Sequence, residues 1–465
     1  MKTYHIWTVG CQVNVADSAR LGAGLRRLGW QPTDRAPDAD LIVVNTCAVR
    51  QNAEDRAAAK LANLRPLKQR NADLKIAVMG CMVGPRHDAL RARFPYVDAF
   101  AQPQRFDDVI RVLDLPDDAL GADDLGGEFW PAVLPDSGLP DAPAAVTAYV
   151  PVIEGCDKFC TYCIVPLRRG RERSRPIGEV VREVEAHVAR GVREVTLLGQ
   201  TVEAYGKDQP PADPATAHAD LSDLMGAMHE IPGLLRIRAL TSYPPDMTDR
   251  ILSGMAALPK VCESFSLPVQ SGDDGVLTAM RRGYDVATFE ERVAKVRELM
   301  PEVGISTDVI VGFPGESEAA FGNTLAVLDR LRFDKVHVAA YSPRAGTYAD
   351  RKQPDDVPEA VKKERLHAIE ELQRRISLEI NGAYWGRDVE VLVEERKPGA
   401  AEAAGGPPLE RLTGRTRGAK LVHFDAPAGR IPLGALFDVR ITRTGAWSLQ
   451  GELAGVPERA VAGGG

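Results

Sequence analysis

The sequence predicts a multidomain α/β protein with an N-terminal parallel α/β domain, a central partial (β/α)6 barrel and a small C-terminal β-barrel. The first observation is length, because 465 residues are enough for about three domains with cores of their own. The second is that short β-rich runs alternate with helical patterns in two separate stretches, as they do in parallel sheets. The third is a change after residue 380 to short alternating runs broken by Gly and Pro, which is typical of a small barrel.

Composition and charge limit the classes of function. Hydrophobic residues make up 44% of the chain and charged residues 26%, which is ordinary globular usage. With 58 basic and 65 acidic residues the formal net charge is −7. Binding of nucleic acid by bulk charge is therefore excluded, and any such site must be a local basic patch. No apolar run of about 18 residues could span a membrane, and the start of the sequence does not resemble a signal peptide. We expect a cytoplasmic protein with no membrane partner.

Changes of composition along the chain set the expected domain limits. The N-terminal domain is predicted at residues 1–115, a linker rich in Pro, Gly and Asp at 116–145, and the barrel at 146–382. A small β-barrel domain is predicted at 383–455, followed by a flexible Gly-rich tail at 456–465.

In the N-terminal domain a cysteine follows each of three strands. The predicted strands are residues 3–8, 41–44 and 76–79, and the predicted helices are 14–28 and 50–68. Cys11, Cys47 and Cys81 come directly after the three strands. Because the carboxyl ends of parallel strands meet at one edge, neighbouring strands would bring the three thiols together. On spacing alone, cysteines that merely pack as small apolar residues are an equally good interpretation.

The second α/β stretch contains six βα units, which predicts an incomplete barrel. The strands are predicted at 148–153, 194–198, 236–240, 264–267, 305–311 and 336–340, and the helices at 180–189, 221–230, 248–257, 289–299 and 321–331. A long exposed helix rich in Arg and Glu is predicted at 358–380, and the short strands of the small barrel at 389–453.

The strongest local signal is a C-x3-C-x2-C loop directly after the first barrel strand. Cys156, Cys160 and Cys163 are its three thiols. Three thiolates on one loop can hold three irons of a four-iron cluster and leave the fourth iron open to a substrate. A structural zinc site normally has four ligands, and no fourth Cys or His lies nearby. The loop resembles that of the radical S-adenosylmethionine (SAM) enzymes, which combine it with a partial (β/α)6 barrel.

Further motifs narrow the resemblance to the MiaB-like family of methylthiotransferases, in the branch that modifies tRNA. The matching stretches are Gly10-Cys11-Gln12-Val13-Asn14, Val44-Asn45-Thr46-Cys47-Ala48-Val49-Arg50 with Ala53-Glu54, Gly80-Cys81-Met82, Glu154 to Cys163 with Val165-Pro166 and Arg169-Gly170, Leu197-Leu198-Gly199-Gln200, Leu267-Pro268-Val269-Gln270-Ser271-Gly272, Asp308 to Glu316, and Tyr341 to Thr347. They occur in order over residues 1 to about 350, so chance is not a serious explanation.

The resemblance implies two [4Fe-4S] clusters and SAM as cofactors. One cluster would be held by Cys11, Cys47 and Cys81 and would carry sulfur. The other, on Cys156, Cys160 and Cys163, would bind SAM and reduce it to a 5′-deoxyadenosyl radical. Cys262 lacks cysteine neighbours and is expected to pack as an ordinary buried residue.

The implied reaction is methylthiolation of C2 of N6-dimethylallyladenosine, beside the tRNA anticodon. The implied partners are the tRNA anticodon stem-loop, which a C-terminal TRAM domain would grip, a sulfur donor, and a low-potential electron donor such as flavodoxin or ferredoxin. We expect a monomer.

Polar residues at the ends of barrel strands are candidates for SAM contacts. Gln200, Gln270, Ser271, Asp308 and Gly312 occupy such positions, at the end of a barrel where ligands bind. Glycine lets the backbone approach a ligand closely, and polar side chains can meet ribose and adenine. Each of these residues is equally plausible as an ordinary turn residue.

Two basic stretches are candidates for RNA contact. Arg168 and Arg169 open an arginine-rich run beside the cysteine loop. Residues 411–443 carry seven basic and two acidic residues, a local positive charge that suits a phosphate backbone. The RNA-contact candidates in the two stretches are Arg168, Arg169, Arg411, Arg415, Arg417 and Lys420, with His423, Phe424 and Trp447 as possible stacking groups. A solvated face is the alternative interpretation of both stretches.

The sequence departs from the family pattern beside both cysteine sites. Val83-Gly84 stands where the family more often has a small residue and then Gln or Glu. Leu167-Arg168 replaces an aromatic residue and Thr, and Thr201 replaces a frequent Asn. None of these departures removes a cysteine, but they bear on how a substrate is positioned.

Other functions remain open from the sequence. Sister branches of the family act on threonylcarbamoyladenosine in tRNA or on an aspartate of a ribosomal protein. A non-catalytic iron–sulfur protein that binds RNA is a third possibility. The stretches Ala53-Glu54 and Ser342-Pro343-Arg344 favour the dimethylallyl branch, and the retained Gln270-Ser271 and Asp308 to Glu316 stretches argue against a non-catalytic protein.

Overall fold

A computed structural model of the protein describes residues 1–48, 51–113, 145–210, 218–398 and 408–454. The predicted tail, all of the predicted linker except residue 145, and residues 49 and 50 of one family motif lie outside the described residues. Within those ranges, no helix combines the length and the apolar character that crossing a bilayer requires.

The N-terminal domain is a five-stranded parallel sheet with helices on both faces. Its strands, in the order β2-β1-β3-β4-β5, are β1 (Thr3–Val9), β2 (Gln31–Pro32), β3 (Leu41–Thr46), β4 (Lys75–Gly80) and β5 (Ala99–Ala101). Its helices are α1 (Gln12–Arg27), α2 (Gln51–Arg70), α3 (Asp88–Arg93) and α4 (Phe106–Ile110). The central strand β3 is buried on both faces, as expected for a parallel sheet covered on two sides.

The central domain is an open arc of six parallel strands, which confirms the predicted partial barrel. In spatial order the strands are β6 (Thr147–Pro151), β9 (Glu194–Leu198), β10 (Arg236–Leu240), β11 (Ser264–Ser266), β12 (Gly304–Val311) and β13 (Lys335–Ala340). Two backbone hydrogen bonds join β10 to β11, from Cys262 to Ile237 at 2.9 Å and from Ser242 to Ser266 at 2.8 Å. Cys262 is buried at this joint.

Helices cover the outside of the arc, and a short antiparallel pair closes the start of it. The pair is β7 (Ile153–Glu154) with β8 (Arg173–Ser174). The helices are α5 (Val165–Arg169), α6 (Ile177–Ala189), α7 (Leu221–His229), α8 (Asp249–Ala256), α9 (Asp274–Met280), α10 (Val286–Leu299), α11 (Glu318–Leu331) and α12 (Tyr348–Lys352).

The long helix α13 (Glu359–Gly382) corrects the prediction of an exposed helix. One face is buried, with Ile369 and Ile376 inaccessible to solvent. Polar residues on that face are buried with partners, because the Lys362 ammonium lies 2.6 Å from an Asp355 oxygen and Gln373 donates to the Phe333 carbonyl at 2.9 Å. Charged residues on this face made the helix look solvated, although long polar side chains can be buried when they are paired.

The C-terminal domain is a closed five-stranded barrel, as predicted. Its strands, in the order β14-β15-β16-β18-β17, are β14 (Asp388–Pro398), β15 (Leu409–Arg415), β16 (Leu421–Pro427), β17 (Leu436–Thr444) and β18 (Leu449–Leu453). Alternate residues of each strand fill the core, so Phe424 is buried while its neighbour His423 is half-buried.

The turn between β15 and β16 docks against the amino-terminal ends of the central strands. Arg238 on β10 donates to the carbonyl oxygens of Thr416 at 2.8 Å and Arg417 at 2.6 Å. Arg236 donates to the Arg415 carbonyl at 2.7 Å. The C-terminal domain therefore covers the end of the central domain opposite to the strand ends where ligands bind.

Candidate metal centre

The first three cysteines lie together at the carboxyl edge of the N-terminal sheet. Strands β1, β3 and β4 are neighbours whose ends are in register. Cys11 is the N-cap residue of α1, and Cys47 and Cys81 directly follow β3 and β4. Cys47 is hydrogen-bonded to Cys11, and the Cys81 thiol interacts electrostatically with Cys11. The strand order thus brings together the three thiols that the sequence separates.

A buried amide network holds these strand ends. Asn14 Nδ2 donates to Asn45 Oδ1 at 3.0 Å and to the Thr46 carbonyl at 3.1 Å, and Asn45 Nδ2 returns a bond to the Asn14 carbonyl at 2.8 Å. The Cys81 N–H donates to the Thr46 carbonyl at 2.9 Å. Gly80 has a φ of 96°, and a Cβ there would overlap the Thr46 carbonyl. The Asn-Thr-Cys and Gly-Cys motifs therefore have a structural basis beyond the thiols.

The electrostatic environment favours the thiolate of Cys11 at this edge. The pKa of the Cys11 thiol is lowered to about 6, chiefly by the hydrogen bond from Cys47, and attraction to Arg169 acts in the same direction. Burial raises the pKa of the Cys81 thiol, while attraction to Arg169 acts in the opposite direction. A positive charge from the central domain therefore acts on the Cys11 and Cys81 thiols of the N-terminal domain.

The C-x3-C-x2-C loop is fixed at its start and in its middle. Gly155, directly before Cys156, has a φ of 70°, and a Cβ there would overlap the Arg171 backbone. Only glycine fits such a position without strain. Further along, the Thr161 N–H donates to the Met280 carbonyl at the end of α9, at 3.0 Å. The protein's own backbone contacts thus define the shape of the loop.

Two thiols of this loop, Cys156 and Cys160, are buried beside cationic and N–H donors, and the third, Cys163, is half-buried. Burial raises the pKa of the Cys156 thiol to about 11 and that of the Cys163 thiol to about 12. Arg282 Nη1 donates to Cys160 Sγ at 3.3 Å, and the Lys158 N–H donates to Cys156 Sγ at 3.4 Å. Iron binding must displace thiol protons here, and the donors favour the thiolates that result.

Helix α5 connects the two cysteine sites. It begins two residues after Cys163 and ends at Arg169, whose Nη2 donates to Asp17 Oδ2 on α1 at 2.8 Å. The side chains of Arg169 and Asp17 are 2% and 1% exposed. A second buried pair, Arg20 with Glu183 at 3.3 Å, crosses the same interface. The two cysteine sets therefore border one domain interface.

Two of the departures from the family pattern lie against each other at this interface. The guanidinium of Arg168 occupies the space that a side chain at Gly84 would take, because a Cβ there would overlap Nη1 of Arg168. Gly84 belongs to the N-terminal domain and Arg168 to the central domain. The absence of a side chain at one position makes room for the large side chain at the other.

Two stretches that favoured the dimethylallyl branch also meet at this interface. Arg344 Nη1 donates to Gln51 Oε1 at 2.9 Å and lies 3.4 Å from Glu54 Oε2. Burial raises the pKa of Glu54, and attraction to Arg344 opposes that rise.

The donor sets fit four-iron clusters better than single metal ions. Among the described residues, no three His, Cys, Asp or Glu side chains converge as the ligands of one ion do. In a four-iron cluster each thiolate binds a different iron, so three thiols around a larger volume are the appropriate arrangement. Each cysteine set is buried or half-buried and faces a buried arginine. Both sites thus satisfy the chemistry that a cluster requires.

Two of the SAM candidates, Gln270 and Ser271, follow β11, and a third, Asp308, lies within β12. Gln270 has a φ of 70°, a conformation that costs energy for a residue with a side chain. Its N–H donates to the Asp308 carbonyl at 2.9 Å. Ser271 is fully buried, and its hydroxyl lies 3.3 Å from that of Thr324 on α11. The serine therefore has a packing role in this structure, and its contact with SAM stays a prediction.

The remaining two SAM candidates lie at the same end of the central domain. Gly312 has a φ of 67°, and its N–H donates to Glu316 Oε2 at 2.6 Å. Arg365 of α13 pairs with the same Glu316 carboxylate at 2.7 Å. Gln200 is half-buried and follows β9 by two residues. Their contacts with SAM also stay predictions.

Sequence reasoning missed a buried acidic pair at this end. Glu203 is buried, accepts a hydrogen bond from the Tyr243 N–H at 3.3 Å, and has its pKa raised to about 7 by burial. Asp246 pairs with Lys158 of the cysteine loop at 2.8 Å. Each acid lies several residues beyond the end of a strand. No spacing in the sequence distinguishes such buried acids from acids on the surface.

Two of the RNA candidates are used in domain docking. Arg417 donates to both carboxylate oxygens of Glu263, at 2.7 and 2.8 Å. The Lys420 ammonium lies 2.6 Å from an Asp334 oxygen and is 9% exposed. Both acids belong to the central domain, so these cations face protein in this structure.

The other RNA candidates differ in exposure. Arg169 is buried against Asp17, as described above, and Arg168 is half-buried. Arg411 pairs with Asp425, and Arg415 with Glu394, but both guanidinium groups remain partly exposed. None of these contacts tests RNA binding, which stays a prediction for all six residues. Trp447, a possible stacking residue, is 60% exposed.

Comparison with known families and relatives gives a consistent result. Residues 3–102 match the profile of the uncharacterized protein family UPF0004, and residues 150–328 match that of the radical SAM superfamily. A tRNA-2-methylthio-N(6)-dimethylallyladenosine synthase from Roseiflexus sp. (strain RS-1) is 44% identical over 97% of this chain and 90% of its own length. The synthase of the same name from Dehalococcoides mccartyi (strain CBDB1) is 43% identical over 98% of this chain and all of its own length.

Among solved structures, the fold is similar to that of a radical SAM enzyme. The methyltransferase TsrM from Kitasatospora setae, solved with cobalamin and a [4Fe-4S] cluster bound, superposes with a TM-score of 0.51. The match covers 73% of this chain and 75% of that chain at 13% sequence identity. At this identity the likeness shows a shared fold and no more.

Proposed function

The chain belongs to the family of tRNA-2-methylthio-N(6)-dimethylallyladenosine synthases, and from that membership we propose how its residues carry out the reaction. It is a radical SAM enzyme that transfers a methylthio group to C2 of N6-dimethylallyladenosine next to the tRNA anticodon. Its cofactors are [4Fe-4S] clusters and SAM. The proposals concern the ligands, the domain roles and the partners.

We assign one cluster to each cysteine set. Cys11, Cys47 and Cys81 would hold the cluster that carries sulfur, and the loop cysteines Cys156, Cys160 and Cys163 the cluster that binds SAM. The observation that carries this assignment is the shared interface, because both sets border the contact between Arg169 and Asp17. When bound, the clusters supply a strong one-electron reductant and an open iron for SAM and for sulfur.

The protein's own residues shape and shield the reaction space. Gly155 and Thr161 fix the loop, and Arg282 balances the negative charge of its thiolates. We propose that Gln200, Gln270, Asp308 and Gly312 contact SAM from the strand ends, with Ser271 holding the Gln270 turn in place.

Domain roles follow the predicted limits. Residues 1–115 form the sulfur-carrying domain, 146–382 the SAM domain and 383–455 a TRAM-like domain that binds the anticodon stem-loop. We place RNA contact on Arg168, Arg411 and Arg415 and no longer on the buried or docked Arg169, Arg417 and Lys420, because a phosphate needs a cation it can reach.

We also propose that the protein works as a cytoplasmic monomer supplied by two partners. Flavodoxin or ferredoxin would provide low-potential electrons. A separate sulfur donor would restore the N-terminal cluster after each turnover.

The first experiment identifies the modified nucleoside. Mass spectrometry of tRNA nucleosides from a deletion strain should show N6-dimethylallyladenosine in place of its 2-methylthio form, and the cloned gene should restore the methylthio form. Loss of a methylthiolated threonylcarbamoyladenosine instead would assign the sister activity and contradict the proposal.

The second experiment separates the two cysteine sets. Anaerobically reconstituted protein should hold about eight irons, and Cys156→Ala should lose about half of them. With Cys11, Cys47 and Cys81 all changed to Ala, the protein should cleave SAM under strong reductant without thiolating tRNA. Cys262→Ala, which alters a thiol outside both sets, is the control. Thiolated tRNA from the triple variant would contradict the sulfur role of the N-terminal set.

A further inference from the structure

Arg169 belongs to the central domain by sequence but acts at the cysteine site of the N-terminal domain. It lies six residues after Cys163, yet its electrostatic partners include Cys81 and Cys11. Its guanidinium is buried and is held from the far side by Asp17 on α1. The N-terminal cysteine site is therefore completed by a side chain from another domain.

The ion pair leaves part of the guanidinium unused. Only Nη2 of Arg169 reaches Asp17, at 2.8 Å. Nη1 of Arg169 and Oδ1 of Asp17 are both buried, and neither has a hydrogen-bond partner among the described residues. Arginine and a carboxylate usually pair through two parallel bonds. A buried N–H without an acceptor is costly, and the Cys81 thiol, which is hydrogen-bonded to the Arg169 side chain, places a sulfur acceptor within reach of the guanidinium.

We propose that Arg169 is a positioning residue for the N-terminal cluster, placing a positive charge and a free N–H beside its thiolates and thereby raising its reduction potential. The inference rests on the proposed assignment of that cluster to Cys11, Cys47 and Cys81. A reduced cluster carries one more negative charge than the oxidised cluster, so a nearby cation stabilises the reduced state. Hydrogen bonds to sulfur and local charge are the two means by which a protein sets a cluster's potential. Burial makes both effective, because buried charges are only weakly screened.

Asp17 reduces the effect of Arg169 on the reduction potential of the N-terminal cluster. Its carboxylate cancels part of the arginine's charge, and it holds the guanidinium in place. Removing Arg169 and neutralising Asp17 should therefore shift the potential in opposite directions. A merely structural ion pair would give a different result, since the loss of either partner would then damage the site in the same way.

The experiment measures the midpoint potential of the N-terminal cluster alone. In the full chain with Cys156, Cys160 and Cys163 changed to Ala, only this cluster remains, and its reduced form is followed by electron paramagnetic resonance during a redox titration. Arg169→Gln should lower the ratio of reduced to oxidised cluster about tenfold at a fixed potential, which is a midpoint shift of about 59 mV for one electron. Arg169→Lys, which keeps the charge, should recover most of that shift.

The Asp17→Asn variant tests the opposite change of charge beside the cluster. With Arg169 intact and no longer neutralised, the midpoint potential of the cluster should rise. This variant tests the inference by itself if Arg169→Gln fails to assemble a cluster. Arg173→Gln, whose side chain is 78% exposed and pairs with Glu154, is the matched control and should leave the midpoint unchanged. Equal midpoints in the Arg169, Asp17 and control variants, or shifts of the same sign, would overturn the inference. Absence of any cluster in the parent background would instead contradict the proposed ligand assignment.

Discussion

At the scale of single residues, the contact between Gly84 and Arg168 explains two departures from the family pattern at once. Each departure by itself looks like a loss near a cluster: a missing polar side chain on one side and an unexpected arginine on the other. In the structure the arginine fills the space left by the glycine. Its Nε is buried, so the side chain forms part of the interface. We therefore regard the two substitutions as a matched pair.

A double-mutant cycle tests this pairing. Gly84→Ala should destabilise the protein by about 1 kcal/mol through the overlap with Arg168, and the cost should largely disappear in an Arg168→Thr background. Thermal unfolding of the metal-free protein measures both effects. Gly226→Ala, at a helix position where a Cβ meets nothing within 4 Å, is the control. Equal costs of Gly84→Ala in both backgrounds would show that the two residues are independent.

Glu203 is a single residue that makes the stability of the folded protein depend on pH. Burial raises its pKa from 4.5 to about 7, so the folded protein favours the neutral carboxyl group. The stability from this group is fully present below pH 4.5 and is lost as the pH rises through about 7. The loss amounts to at most about 3 kcal/mol at pH 8, from about 1.4 kcal/mol per unit of pKa difference.

Glu203→Gln should remove this penalty. The variant is expected to unfold at a higher temperature than the parent at pH 8 and at nearly the same temperature at pH 5, in metal-free protein without SAM. Glu230→Gln, at an exposed position, should show no such difference. A variant no more stable than the parent at pH 8 would mean that Glu203 is ionised without penalty.

At the scale of elements, hydrophobic periodicity and strand-forming composition were sufficient to predict the longer helices and strands. The strands at 194–198 and 236–240 have the predicted bounds. No pattern of residues indicated β2 and β5, which have two and three residues and are defined only by pairing with β1 and β4. The burial of α13 was likewise invisible, because its buried polar residues are neutralised by partners elsewhere in the chain.

The turn between β15 and β16 is an element whose role depends on its tertiary contacts. Arg417→Gln should weaken the docking of the C-terminal domain by about 1–3 kcal/mol, because it breaks a charged double hydrogen bond to Glu263. Faster hydrogen exchange in residues 236–238 and 261–264 is the expected signal. Iron binding at the opposite end of the central domain should be unchanged.

Arg411→Gln is the matched control for the turn, because its partner Asp425 lies on the adjacent strand of the same barrel. It should leave exchange at the docking contact as in the parent. If both variants or neither variant accelerated exchange there, Arg417 would not be a docking residue.

At the scale of the whole molecule, sequence reasoning identified both cysteine sets but not what joins them. Spacing and strand ends were enough to bring Cys11, Cys47 and Cys81 to one edge. The contact between Asp17 and Arg169 spans 152 positions, and nothing local marks either residue as its member. Arg169 stood in a run of arginines, which charge alone could interpret only as an RNA surface or a solvated face. Tertiary structure was needed to separate the buried arginine from its exposed neighbours.

RNA binding tests the charge distribution of the molecule as a whole. The net charge is −7, but exposed charges are screened beyond about 8 Å at physiological salt, so local cations decide. Changing Arg411 and Arg415, which are partly exposed, together with the exposed Arg430 of the same barrel to Ala should weaken tRNA binding and flatten the log–log salt dependence of affinity by about two units. Cleavage of SAM without tRNA should be unaffected, because the central domain is unchanged.

A triple variant elsewhere controls for net charge. Arg35, Arg105 and Arg111 are exposed cations of the N-terminal domain, and their change to Ala removes the same charge. An equal loss of affinity in both triple variants would mean that binding follows overall charge and that the C-terminal barrel has no special role.

The docked turn between β15 and β16 also has a consequence for how the chain is made. Arg236 and Arg238 are buried under backbone carbonyls from positions 415–417. Arg238 and Thr416 are 178 positions apart. At ordinary ribosomal speeds of about 5–20 residues per second, Thr416 is therefore synthesised about 10 to 40 seconds after Arg238. During that interval the underside of the nascent central domain is open, and Arg236 and Arg238 lack the carbonyl partners that the turn later supplies. The C-terminal barrel, which is synthesised after the central domain, thus completes the folding of that domain.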